Sequence, residues 1–227
     1  MLLTFDCYGT LIDWEAGILE ALRLAYPRSV SLDDRALLDE FHAVQNRLKT
    51  DAYRPYRALL TEVTAALSAG HGWDPSELAS ASVPASIPRW RPFPDTNPAL
   101  RRLREAGARL GILSNIDDDL LAGTLGHFDV EFDRLGTAER LRSYKPATPH
   151  FELGREWARA DPDGEDGWLH VAQSLFHDIE PATRAGLRAV WVNRRGETLP
   201  ESAAPVHVAP DLATAADWIL GGRPPRD

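Results

Sequence analysis

The chain has 227 residues, 44% hydrophobic and 26% charged, which is enough for one sizeable core and a smaller appended unit. Its net charge of −9 argues against nucleic acid or an anionic membrane surface as a partner, because both need a broad basic face. A single cysteine, no signal-peptide pattern and no apolar run near the roughly 20 residues of a membrane span predict a cytoplasmic protein.

The first part of the chain combines one short strand with a long helical block. Residues 2–6 are an apolar run that predicts a buried strand. From about Asp13 to Pro88, apolar residues recur at three- and four-residue spacing, which is typical of amphipathic helices. Residues 83–95 contain four prolines and are predicted to be a connection without regular structure.

The remaining residues alternate between strand and helix patterns. This alternation predicts an α/β fold, a doubly wound parallel sheet covered on both faces. Since the helical block falls between the first strand and the others, we expect a core domain of residues 1–12 and 93–227 with an inserted helical cap of residues 13–92. The predicted strands are residues 109–114, 133–138, 168–174, 188–193 and 205–209, and the predicted helices are residues 97–108, 149–160 and 179–186.

Residues with useful chemistry follow the predicted strand ends. Ligands of open parallel sheets bind beyond the carboxyl ends of the strands, so these residues are expected to converge there. Lysine is scarce in this chain, with only Lys49 and Lys145, which indicates that Lys145 stands where a compact ammonium is required. The candidates in chain order are Asp6, Thr10, Ser114, Asn115, Lys145 and Asp178.

Together these motifs resemble the haloacid dehalogenase superfamily, whose members have a nucleophilic aspartate in "DxxGT". The superfamily also places a hydroxyl residue at the end of the second strand, a lysine before a helix and acids after the fourth strand. The resemblance covers essentially the whole chain. It implies that Asp6 attacks the substrate and forms a covalent ester that water then hydrolyses. The implied catalytic residues are Asp6, Thr10, Ser114, Lys145 and Asp178.

Two departures from the superfamily's phosphatases bear on the reaction. Tyr8 stands where those enzymes have the acid that protonates a departing alkoxide, and a halide leaves without a proton. Gln173 replaces the first acid of their Mg²⁺ site, and Asp178 alone remains. Both departures favour dehalogenation without a cofactor over phosphate transfer.

The motifs "DCYGTL", "ILSN", "SYKP" and "VWVNRRG" look like those of the L-2-haloacid dehalogenases. That resemblance implies metal-independent displacement of halide from a short 2-haloacid, and a homodimer is one further expectation. The pocket wall departs from the family: His42, near Arg47, is the best counterpart of a cap arginine, Leu175 stands for an asparagine and Phe151 for a tyrosine. The expected substrate-binding residues are Tyr8, Trp14, His42, Asn115, Ser174 and His177.

Two other functions remain open at this point. One is a Mg²⁺-dependent small-molecule phosphatase that uses Asp6 and Asp178, and the other is a catalytically silent binding protein of the same fold. Three further patterns favour structural roles. The acids at 117–119 are expected to cap a helix rather than bind metal, His170 to be a core residue, and Arg194 to be solvated.

Overall fold

The computed structural model describes residues 1–48, 52–73 and 76–221. Within them, six strands form a single parallel sheet. The strands are β1 (Leu2–Phe5), β2 (Arg109–Ser114), β3 (Arg134–Thr137), β4 (Trp168–Ala172), β5 (Ala189–Val192) and β6 (His207–Ala209). Their spatial order is β3-β2-β1-β4-β5-β6. The doubly wound α/β class is therefore confirmed.

Helices make up most of the segment between β1 and β2, and further helices follow β2, β3, β4 and β6. Short 3₁₀ turns cover Pro27–Ser31, Ile87–Arg89 and Glu165–Gly167, and one π-helical turn covers Leu175–Ile179. The α-helices of the described residues are α1 (Trp14–Ala25), α2 (Asp34–Leu48), α3 (Tyr56–Gly70), α4 (Glu77–Ser80), α5 (Ser82–Ser86), α6 (Thr96–Glu105), α7 (Asp118–Leu125), α8 (Ala138–Leu141), α9 (Pro149–Arg159), α10 (Glu180–Arg184) and α11 (Leu212–Leu220).

The proline-rich segment 83–95 differs from its prediction. It begins inside α5 and continues through the turn Ile87–Arg89, so its first half is helical. Pro84 is tolerated there because it lies in the first turn of α5, where a backbone N–H has no helical acceptor in any case. The prolines therefore shorten the helix without preventing it.

The described chain divides into two compact units. The sheet unit contains Met1–Ile12, Pro92–Asn115 and the described residues from His127 onward. The helical unit contains the described residues of Asp13–Arg91 together with Ile116–Gly126, so the whole of α7 groups with the helices of the first segment. In the described residues, no helix combines the length and apolar character that crossing a membrane requires.

The centre of the sheet determines where polar groups can lie. Every residue of β1 and of β4 is buried, as expected for parallel strands covered on both faces. β1 lies between β2 and β4, at the position where the order of connections reverses. Open α/β sheets bind their ligands at this switch point, beyond the carboxyl ends of the strands.

Gly154 of α9 permits close packing against the sheet. A Cβ at this position would lie 2.5 Å from Cζ2 of Trp168 and 3.1 Å from Cδ1 of Leu113, both of which are buried. We therefore expect Gly154→Ala to lower the free energy of unfolding. Overpacking costs about 1–3 kcal/mol and the better helix propensity of alanine returns up to about 1 kcal/mol.

Chemical denaturation of the two proteins measures this difference, and Gly126→Ala is the matched control. A Cβ at Gly126 meets nothing within 4 Å, and its φ of −65° suits alanine. Equal stability of the two variants would contradict the packing argument.

Candidate active site

Asp6 lies directly after β1, and a tight loop holds it there. The Asp6 N–H donates to the carbonyl of Val171 in β4 at 3.1 Å. Further along, the N–H groups of Leu11 and Ile12 both donate to the carbonyl of Cys7, at 2.8 and 3.0 Å. Gly9 has a φ of 97° in this loop, a conformation that favours glycine. The carboxylate is buried, with a residue exposure of 8%.

Lys145 is buried against Asp6 and Asp178. Within the described residues, its Nζ makes three hydrogen bonds: to Asp6 Oδ1 at 2.8 Å, to Asp178 Oδ1 at 2.6 Å and to the carbonyl of Leu113 at 2.8 Å. These partners use all three donors of the ammonium. A planar guanidinium could not present its donors in this arrangement, which accounts for lysine in an arginine-rich chain. Lys49 lies outside the described residues.

The loop after β2 positions Lys145 through its main chain. The Asn115 amide oxygen accepts from the Lys145 N–H at 2.7 Å, and its Nδ2 donates to the Lys145 carbonyl at 3.1 Å. Ser114 accepts a hydrogen bond at its carbonyl from His150 Nε2 at 3.2 Å. Asn115 therefore contacts the lysine loop with both ends of its side-chain amide.

Thr10 holds the second oxygen of the Asp6 carboxylate. Its Oγ1 donates to Asp6 Oδ2 at 2.9 Å and accepts from the Gln173 N–H at 2.9 Å. Arg194, predicted to be solvated, instead donates to the Thr10 carbonyl at 2.9 Å and forms an ion pair with Asp95 at 3.1 Å. That prediction was wrong, because the Arg194 side chain is only 13% exposed and anchors the loop.

Asp178 is held by the π-helical turn that follows β4, and such turns are frequent at functional sites. Its Oδ1 accepts from Lys145 Nζ and also contacts His170 Nε2 at 2.9 Å. Its Oδ2 is buried and has no hydrogen-bond partner among the described residues. His170 was predicted to be a core residue. The signal that could have revealed its contact is its place two residues before the end of β4, because a buried imidazole needs polar partners.

Burial and neighbouring charge shift the pKa values of these groups in different directions. Burial raises the pKa of the Asp6 carboxyl, although the Lys145 ammonium acts against the rise. Burial also tends to raise the pKa of Asp178, but Lys145 and His170 hold it well below its ordinary value. For Lys145, the two carboxylates outweigh burial and raise its pKa. The ammonium therefore stays charged beside an ionised Asp178.

The other predicted site residues lie in both units. In the sheet unit, Tyr8 is partly buried two residues after Asp6, and Ser174 Oγ accepts from the His177 N–H at 3.0 Å and lies 3.2 Å from His177 Nδ1. In the helical unit, the rings of Trp14 and His42 stack with centroids 4.8 Å apart.

The acids at 117–119 do not form a metal site within the described residues. Asp117 accepts from the N–H groups of Tyr56 and Arg57 at 2.7 and 2.8 Å, at the start of α3. Asp117 therefore caps a helix, as predicted. The capped helix is α3, however, and not α7, which Asp117 directly precedes.

A protein-family model described as haloacid dehalogenase-like hydrolase matches residues 1–163. The chain belongs to this family. It is a hydrolase, and the predicted family resemblance is confirmed.

Individual relatives of the hydrolase match over nearly their whole length. The (S)-2-haloacid dehalogenase H-109 of Pseudomonas putida is 29% identical over 225 residues, which cover 96% of this chain and 97% of that protein. Among solved structures, L-2-haloacid dehalogenase RSc1362 has a TM-score of 0.82 at 23% identity, covering 96% of this chain and 98% of its own. The L-2-haloacid dehalogenase from Xanthobacter autotrophicus with covalently bound chloropropionic acid has a TM-score of 0.78 at 23% identity, covering 97% and 98%. These two structural likenesses show the shared fold.

The burial of His150 is expected to make the folding stability of this hydrolase depend on pH. Burial, with the Lys145 ammonium nearby, lowers the pKa of His150 to about 3. The unfolded chain binds a proton at this residue near pH 6.5, so stability falls as the pH drops from about 6.5 toward 3. At pH 5 the loss from His150 is about 2 kcal/mol.

His150→Gln removes the titration and retains an N–H donor for the Ser114 carbonyl. We expect the difference in unfolding free energy between pH 7 and pH 5 to be about 2 kcal/mol smaller in this variant. Denaturant unfolding at the two pH values measures it. An unchanged difference would show that His150 is not buried in its neutral form.

Proposed function

We propose that this hydrolase removes halide from small 2-haloacids through a covalent ester on Asp6, without a metal. The main support is the buried contact of Lys145 Nζ with both Asp6 and Asp178. One ammonium thereby binds both the proposed nucleophile, Asp6, and the proposed acceptor of the water proton, Asp178. The names of the relatives, which include an (S)-2-haloacid dehalogenase, support the same substrate class.

In the first step, one carboxylate oxygen of Asp6 attacks C2 of the haloacid. A new C–O bond forms as the C–halogen bond breaks, and the halide leaves with the electron pair. Lys145 and Thr10 orient the carboxylate for this attack. The halide needs no proton, which agrees with Tyr8 in the position of the phosphatases' acid.

In the second step, water attacks the carboxyl carbon of the Asp6 ester. We propose that Asp178 accepts one water proton through Oδ2, which has free lone pairs and belongs to the carboxylate that Lys145 links to Asp6. The ester C–O bond then breaks, and the alkoxide of the 2-hydroxyacid takes that proton. Asp6, now carrying one oxygen from water, loses its own proton to solvent and returns to a carboxylate.

The donor set favours a reaction without Mg²⁺. This ion prefers several charged oxygen ligands. Asp6 Oδ1 and Asp178 Oδ1 are already engaged by the Lys145 ammonium, and Gln173 supplies no charge. Across the described ranges, no group of three or more acidic, histidine or cysteine side chains could hold a metal ion. The proposed reaction therefore uses no metal ion.

The remaining residues receive proposed roles from their contacts. Asn115 was expected to bind substrate, but its amide is used on the Lys145 main chain, so we propose that it positions the lysine. Tyr8, Ser174 and His177 stay as proposed substrate contacts. We further propose that the helical unit, with Trp14 and His42, is the cap domain and that the enzyme acts in the cytoplasm.

The decisive experiment is a single turnover in ¹⁸O-labelled water with enzyme in excess over 2-chloropropionate. We expect one ¹⁸O in the peptide containing Asp6, because water attacks the carboxyl carbon of the ester. With p-nitrophenyl phosphate in place of the haloacid we expect no label, and a phosphatase would in any case direct water to phosphorus. Mass spectrometry of the digested protein measures the label.

Asp6→Asn is the matched control, since it retains the size of the side chain and removes the nucleophile. Halide release should be unaffected by EDTA in the wild type and absent in this variant. Phosphate release that EDTA abolishes, with no label on Asp6, would identify a phosphatase instead. Absence of turnover with both substrates would favour a binding protein.

A further inference from the structure

His170 forms the inner end of a buried chain of hydrogen bonds behind Asp178. Its Nε2 lies 2.9 Å from Asp178 Oδ1, and its Nδ1 lies 2.9 Å from Thr4 Oγ1. The indole N–H of Trp168 donates to the same Thr4 oxygen at 2.8 Å. Thr4, His170 and Asp178 are all fully buried, so their mutual contacts are shielded from bulk solvent.

The chemistry of the partners determines where the protons lie. The carboxylate oxygen of Asp178 can only accept, so Nε2 of His170 carries a hydrogen. The Trp168 nitrogen can only donate, so it occupies a lone pair of the Thr4 hydroxyl. The Thr4 hydroxyl retains its own hydrogen, which it can donate to Nδ1 of His170. In this arrangement both ring nitrogens of His170, the Thr4 hydroxyl and the Trp168 indole have partners, whereas Asp178 Oδ2 has none among the described residues.

This arrangement restricts the orientation of Asp178. Its Oδ1 is held by Lys145 Nζ at 2.6 Å and by His170 Nε2 at 2.9 Å. The contact with His170 is the second fixed point of the carboxylate, and the unpartnered Oδ2 is then presented in one orientation. A rigidly held acceptor is what efficient proton transfer requires.

An apolar side chain would fill this position in β4 without burying a polar group. Phe151 packs against the ring of His170 with centroids 5.8 Å apart, and the flanking residues Leu169 and Val171 are apolar and fully buried. The buried imidazole has a desolvation cost that its hydrogen bonds must offset. We infer that the hydrogen bond from His170 Nε2 to Asp178 is the reason for a polar side chain at this position.

We propose that His170 is a positioning residue that orients Asp178 for hydrolysis of the Asp6 ester. The inference rests on the proposed function, and it concerns the second step alone. The bond changes are those given above: water oxygen bonds to the Asp6 carboxyl carbon, Asp178 Oδ2 takes and returns one proton, and the 2-hydroxyacid leaves. His170 touches none of the reacting atoms. The first step, halide displacement, does not use the proton acceptor and is therefore insensitive to His170.

The test compares His170→Asn with His170→Gln, which introduce the same amide group at different reach. The glutamine amide can take the place of imidazole Nε2 and donate to Asp178, whereas the asparagine amide reaches only the place of Nδ1. Rapid-quench measurements with 2-chloropropionate follow release of chloride and of 2-hydroxypropionate separately. Mass spectrometry of the quenched enzyme measures the ester on the peptide containing Asp6.

In His170→Asn we expect a chloride burst equal to the enzyme concentration and accumulation of the ester. Release of 2-hydroxypropionate should fall by about tenfold to a hundredfold, the rate equivalent of losing one hydrogen bond to a charged group. His170→Gln should recover most of that loss. Thr4→Val is a second variant that leaves Asp178 and His170 in place but removes the hydroxyl that contacts His170 Nδ1, so it should accumulate ester to a smaller extent.

Thermal unfolding of each variant shows whether it is folded, and Thr4→Val decides the matter if the His170 variants are not. Equal slowing of chloride and 2-hydroxypropionate release in His170→Asn, or in Thr4→Val in that case, overturns the inference and leaves the proposed function intact. Failure of His170→Gln to exceed a folded His170→Asn also overturns it. A wild-type enzyme that releases no chloride and forms no ester on Asp6 overturns the proposed function, and the inference with it.

Discussion

The site depends on the hydrogen bonds and ion pairs that the Lys145 ammonium makes. Two carboxylates that lie close together in a buried site repel each other, and without a cation one of them would take up a proton. Lys145 Nζ donates to both Asp6 and Asp178, with a third bond to the Leu113 carbonyl. The lysine thereby compensates the charge of both carboxylates and links the loops after β1 and β4.

The rest of the sheet unit supports this contact through main-chain groups. Asn115 fixes the backbone of Lys145, Thr10 connects Asp6 to the loop after β4, and Arg194 anchors the carbonyl of Thr10. Each support comes from the carboxyl end of a different strand. The strand order therefore gives the site its rigidity, because neighbouring strand ends lie close enough for direct hydrogen bonds.

Two residues of the same loops are expected to disfavour metal-dependent phosphate transfer. Tyr8 supplies no strong acid for an alkoxide, and Gln173 adds no charge for a divalent cation. A substrate whose leaving group is a weak base needs neither. Both features are consistent with the proposed displacement of halide, and the proposed acceptor of the water proton, Asp178 Oδ2, has no hydrogen-bond partner among the described residues.

The amino-acid sequence by itself determined the α/β class, the six strands and the order of the polar residues at their ends, because hydrophobic periodicity and strand-end position are local properties. Only the tertiary structure decided which groups these residues contact. Asn115 binds a main chain 30 residues away, Asp117 caps a helix that begins 61 residues earlier, and His170 reaches Asp178 across a turn. Such partners depend on how loops from different strands meet in space. Hydrophobic periodicity gives no information about distances between loops that are far apart in the sequence. The buried hydrogen-bond network can therefore be described only from the folded structure.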